Sequence, residues 1–166
     1  MSSTVSLGAT LPAVADQSVT SNATVTLVAG ELSITAPSNT VNLGSKSNMI
    51  GATTISGQLG QVQVIDARGA AEGGWVASAI STAFTPSPGG AIGAGFIGYT
   101  AGTITKTGTA TYTANDPLAL SDVSPVVTAT AITGNNTATW NPTIKIAVAA
   151  NMVAGVYTGT ITHSVL

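Results

Sequence analysis

The chain has 166 residues, four basic and six acidic side chains and one histidine, for a formal net charge of -2. Charged residues make up 6%, against about a quarter in ordinary soluble domains, and Lys46, Arg68, Lys106 and Lys145 are scattered, so nucleic-acid binding through clustered phosphate contacts is disfavoured. There is no cysteine, which leaves neither a disulfide framework nor a thiolate site, and no run approaches the ~18 apolar residues of a membrane-spanning helix.

Residues 1–22 read as an N-terminal extended arm. Val5, Leu7, Ala9 and Leu11 share one face of an extended chain, and Thr4, Ser6, Gly8 and Thr10 share the other. Pro12 ends the run, because it cannot donate to a ladder. Ala13-Val14-Ala15 before Asp16 has the small-residue character of a signal cleavage site. Residues 1–10 lack a basic start and a continuous apolar core, which fits either a chain that begins inside a longer leader or a mature arm with an added Met, and the strand pattern favours the arm. An apolar face of this kind needs a partner. The arm is expected to add as a strand to a sheet edge, in its own domain or on a neighbour. A flexible tail is the plain alternative.

The domain is expected to span residues 23–166. Val25, Leu27 and Ala29 alternate with Thr24, Thr26 and Val28. After Gly30, Leu32, Ile34 and Ala36 alternate with Glu31, Ser33 and Thr35 as far as Pro37. Residues 38–59 read as loop with a short edge strand at 52–56. Val62 and Val64 share a face opposite Ile65, and Asp66-Ala67-Arg68-Gly69 turns the chain. There Asp66 and Arg68 suit a local salt bridge, or a ligand-reading pair.

Residues 69–74 form a Gly and Ala loop around Glu72. Trp75 to Phe84 is apolar on both faces, as in a central strand covered on both sides. The same run also fits a short helical stripe. A Gly-rich stretch then reaches Gly102, and its Phe96, Ile97 and Tyr99 are expected to fold back onto the sheet. Residues 103–113 carry Thr at every odd position, a ladder that hydrogen-bonds across strands while keeping β propensity.

A turn at Asn115-Asp116-Pro117 and apolar plugs at Leu118 and Leu120 lead to a strand over 126–132. A further turn at Gly134-Asn135-Asn136 precedes Trp140. Ile144, Ile146 and Val148 share a face, as do Tyr157, Ile161, His163 and Val165 after a turn near Gly155. Period-two patterning of this extent predicts an all-β fold: a single β-sandwich of about eight or more mostly antiparallel strands. Trp75, Ile144, Ile146, Tyr157, Ile161 and Val165 are expected in its core.

Chemistry is harder to place. His163 is the single histidine, strand parity puts it on an apolar face, and neither a nucleophile nor an orienting carboxylate is identified beside it. Asp116 and Asp122 match no calcium-loop spacing. Gly89 to Gly95 lacks the Lys-Ser/Thr ending of a phosphate loop. Trp75, Tyr99, Tyr112, Trp140 and Tyr157 could build a sugar platform, but so few aromatics suit core use. No catalytic residue, cofactor or metal is nominated.

The closing run Gly155-Val-Tyr-Thr-Gly-Thr-Ile-Thr-His-Ser-Val resembles the last strand of WxL domains, cell-wall-associated surface proteins of Gram-positive bacteria. Gly30-Glu-Leu-Ser-Ile-Thr-Ala-Pro, Val62-Gln-Val-Ile-Asp-Ala-Arg-Gly and Gly74-Trp-Val-Ala are similar to earlier blocks of that family, in the same order, so the likeness spans roughly residues 24–166. Trp75 is present with Ala77 in place of Leu, and His163 and Val165 stand in place of Trp and Leu; Tyr157 belongs to the closing block. The resemblance implies a non-enzymatic, secreted cell-surface protein, structural or wall-associated, with a cell-wall polymer or other surface proteins as partners. The alternative expectation is a homo-oligomer: a self-assembling subunit of an extracellular filament or surface lattice joined through the arm.

Overall fold

A computed structural model describes residues 3–14, 17–69, 71, 73–86 and 89–166. The suggested cleavage site at Ala13–Asp16 and the loop residue Glu72 thus lie partly or wholly outside the described residues. The β-branched and Thr-rich runs form strands β1 (Leu32–Thr35), β2 (Thr53–Gln58), β3 (Val62–Asp66), β4 (Trp75–Ser81), β5 (Thr85–Pro86) and β6 (Ile97–Thr100). They are followed by β7 (Thr105–Ala114), β8 (Ser124–Trp140), β9 (Thr143–Val148), β10 (Tyr157–Thr158) and β11 (Ile161–Val165). A three-residue 3-10 turn, Ala94–Phe96, precedes β6. All described pairings are antiparallel, and the expected all-β, sandwich-like fold is what forms.

The larger sheet runs β1-β3-β8-β4-β11, with β7 also paired to β8. The smaller one runs β2-β9-β6, and β5 pairs β10. β8 organises the larger sheet. Its residues 127–129 pair with both β4 and β7, and residues 137–139 pair with both β3 and β7. A strand has only two edges, so β7 lines one of them while β4 and β3 share the other.

β8 bends between those halves. Thr109 opposes Thr133 and Thr111 opposes Thr130, so three steps on β8 match two on β7. Extra residues of this kind bend a strand without ending it. Ala131 (φ 52) and Gly134 (φ 74) take up the bend. The turn expected at Gly134-Asn135-Asn136 is therefore a bulged stretch inside one long strand. As β8 bends, the strands at the two ends of the sheet come together: β1 and β11 approach within 8 Å between Cα atoms. No backbone ladder joins them among the described residues. The sheet is nearly closed, with a seam there.

The core fills the space between the two sheets. Val62, Val64, Trp75, Ala77, Val127, Ala129, Ala138 and Trp140 face it from the larger sheet, and Ile97, Tyr99, Ile144 and Ile146 from the smaller. Of the six expected core residues, Trp75, Ile144 and Ile146 are buried. Tyr157, Ile161 and Val165 are only half-buried against that core.

Other expectations need correction. Val25–Ala29 forms no strand; Val25 and Leu27 are each 96% exposed, because a lone strand without a paired edge has nothing to stabilise it. Thr4–Leu11 is also unpaired in the single chain, which the expectation of pairing on a neighbour allows. Trp75–Ser81 is a central strand, not a helix, but it is covered on one face only: Val76, Ser78 and Ile80 are half-exposed. Phe84 leaves that strand and bridges Ile92. The Gly-rich stretch does return to the fold, as β6, with Ile97 and Tyr99 buried; Phe96 stays 60% exposed.

Candidate assembly interface

Among the described residues, two features stand uncovered in the single chain. One is the arm. Val5, Leu7, Leu11, Val14 and Val19 are all at least 80% exposed. The other is a groove of about 760 Å³ beside the seam. One wall is the chain after β1, from Ala36 to Met49. The opposite wall is the stretch from Met152 to Ile161, with His163. Ile55, Ile146 and Val148 line it from the smaller sheet.

Local sequence shapes the groove. Gly57 lets the backbone of Leu43 lie directly on β2, where any Cβ would collide with the Leu43 carbonyl. That contact fixes the first wall against the smaller sheet. In β11, Ile161, His163 and Val165 point inward and pair with Ser81, Ala79 and Ala77. Each is half-buried, so this is the open part of the core.

Two polar networks thread the interior. On the closed side, the Arg68 guanidinium donates to both oxygens of Asp66, each at 2.9 Å. Asn136 Nδ2 donates to Asp66 Oδ2 at 3.3 Å. Trp75 Nε1 and the Tyr112 hydroxyl both donate to Asn136 Oδ1 at 3.1 Å. Asp66 is 1% exposed, and the Arg68 hydrogen bonds hold its carboxyl below the usual carboxylate range against the opposing effect of burial. This pair fixes the turn after β3, and through Asn136 it orients Trp75.

On the open side, Trp140 Nε1 donates to the Tyr99 hydroxyl at 2.8 Å, and that hydroxyl lies 3.2 Å from His163 Nε2. Burial pushes the Tyr99 phenol up and holds the His163 imidazole down at about 4, so the ring is neutral at pH 7. His163 Nδ1 is buried with no hydrogen-bond partner.

The residues that carry the family resemblance are brought together. Ala77 pairs with Val165 and Ala79 with His163, so the two motif regions lie on neighbouring strands. Trp75 and Ala77 are buried, and Tyr157, His163 and Val165 are half-buried. Trp75, Tyr99 and Trp140 are core residues, so no surface platform of these three exists. Asp116 accepts a hydrogen bond from the Ala101 backbone N–H at 2.8 Å, tying together the segments that flank β7. Among the described residues no three His, Asp or Glu side chains cluster as metal ligands, and no helix is long and apolar enough to cross a membrane.

The groove is not legible in the sequence, because its walls come from residues more than a hundred positions apart. No protein-family model matches the chain, and no curated protein or solved structure matches it.

Proposed function

We propose that this chain is a non-enzymatic, extracellular structural protein whose copies assemble through the N-terminal arm. The observation that carries this reading is the uncovered arm. It holds an alternating apolar face of Val5, Leu7, Ala9 and Leu11 that makes no pairing in its own domain. Exposed apolar side chains in a regular row mark an interaction segment. An extended segment of this pattern adds to a sheet edge, where backbone bonds give affinity and alternate side chains give specificity. The extracellular placement rests on composition: a Thr-, Ser- and Gly-rich chain with 6% charge. A structural role suits a chain whose single histidine is hydrogen-bonded to Tyr99 rather than to a nucleophile or carboxylate.

Association with a cell-wall polymer, implied by the WxL resemblance, is the second reading. Trp75 and Ala77 are buried, so wall contact through those two side chains is unavailable and other surfaces would carry it. Light scattering and negative-stain imaging of the full chain, with and without residues 2–22, test assembly. Large particles that disappear with the arm support it; a monomer at high concentration overturns it. Sedimentation of monomer with purified wall would favour the second reading instead.

A further inference from the structure

We infer that the acceptor for the arm is the groove at the seam of a second copy, where residues 4–11 add along the free edge of β11 and turn Val5, Leu7, Ala9 and Leu11 into the open core. This rests on the assembly reading above and specifies its site.

The backbone of β11 supplies the edge. Val76 and Leu166 exchange both N–H···O bonds, at 2.8 and 3.1 Å. In an antiparallel ladder such pairs recur every second residue, so Thr162 and Ser164 also bond to β4 in this register. The N–H and C=O groups of Ile161, His163 and Val165 therefore point the other way, toward β1, and no ladder takes them up among the described residues. An unpaired edge of this kind templates an incoming strand.

The side chains supply the specificity. A strand laid on that edge continues the face of Ile161, His163 and Val165, which is only half-buried. At Ile161 and His163 that face opens on Ile55, Ile146, Val148 and Met152 in the groove. The arm matches it chemically. Residues 3–14 carry no charge, and the groove is lined by no carboxylate and by one lysine, Lys46. Apolar residues stay on odd positions from Val5 to Leu11, so a single face can be buried whole.

We place the arm on another copy because the single chain leaves it off its own groove. The arm enters its own domain at the start of β1, where Gly30 N–H bonds Ala67 O at 2.8 Å. The groove lies past the end of β1, beside Ala36 and Pro37. Donor and acceptor are thus different surfaces, a head-to-tail arrangement that propagates unless it closes into a ring. Residues 12–29 would bridge two bodies, and extended they reach roughly 60 Å at ~3.3 Å per residue. Seating a strand between β1 and β11 requires about two strand spacings, roughly 9.6 Å, so docking widens the seam.

The cysteine-free sequence permits a direct test in the full chain. Leu7→Cys is mixed under oxidising conditions with Ile161→Cys or with Met152→Cys; the latter sits in a loop and guards against misfolding of the former. Thr109→Cys, on the outer face of β7, is the remote control. Disulfide-linked pairs at both groove positions, well above the control, are expected. Leu7→Asp should raise the concentration needed for assembly roughly tenfold or more, because a charge would enter the apolar groove, whereas Thr10→Asp should leave it unchanged. Arm-dependent particles that cross-link no better than the control would overturn the groove while leaving the assembly reading intact. Equal damage from Thr10→Asp would overturn the assigned face. Failure of the unsubstituted chain to assemble at all overturns both.

Discussion

On the side of the core that holds Asp66, strands β3, β4, β7 and β8 bring Arg68, Trp75, Tyr112 and Asn136 into one connected network. On the side that holds His163, β6, β8 and β11 assemble a shorter chain, Trp140 to Tyr99 to His163, that ends on an unpartnered nitrogen. Both networks anchor a tryptophan. They differ in what lies beyond them. The first is enclosed by paired strands; the second faces a seam where β1 and β11 approach without pairing. The chain has a finished side and an unfinished one, and the second is the side proposed to receive the arm.

The sharpest way to break the contrast is to damage the finished side. Arg68→Ala leaves the Asp66 carboxylate buried without its cation, and such losses cost about 3–5 kcal/mol. Urea denaturation should show a loss in that range; a change below about 0.5 kcal/mol, the size of a neutral surface substitution, would mean that Asn136 and the backbone N–H suffice.

Core truncations grade the two sides next. Ile144→Ala, at a fully buried position, should cost about 2–5 kcal/mol. The same change at half-buried Ile161 should cost about half as much, because less apolar area leaves water on folding. Equal costs would show that β11 is as enclosed as β9.

The third effect is a pH dependence belonging to the open side. His163 titrates at about 4 when folded and near 6.5 when unfolded. Between those values the unfolded chain binds a proton that the folded chain does not. Stability is therefore full above pH ~6.5 and falls toward pH 4, with a slope approaching ~1.4 kcal/mol per pH unit. The Asp66 contribution has the same sign but a lower window, lost only as pH falls below the ordinary carboxylate value of 3.8. Denaturation at pH 7 and pH 5 should show the His163 slope, and His163→Gln should flatten it. An unchanged slope in that variant would assign the effect elsewhere.

The smallest effect is on the arm. Leu7→Asp should change the stability of the isolated domain by less than about 0.5 kcal/mol, as for other exposed positions, although it is expected to disrupt assembly. A larger loss of domain stability would mean that the arm already packs on its own body.

Local alternation determined much of this molecule from sequence alone. Residues 32–36, 62–66 and 143–148 place side chains on opposite faces at every step, so their strand character and buried face follow from period two without reference to any neighbour. The threonine ladder over 103–113 was legible for the same reason: Thr107 meets Thr137 across β7 and β8. The apolar face of the arm was legible too, but not whether it would be covered. Tertiary structure decided what depends on pairing between distant residues. Gly134 reads as a turn, yet β3 and β7 pair on both sides of the following residues, and the extra length is absorbed as a bend in β8. That bend brings β1 beside β11 and leaves a seam. Whether Ile161, His163 and Val165 are enclosed or half-open is set by that closure, which alternation within a strand does not encode.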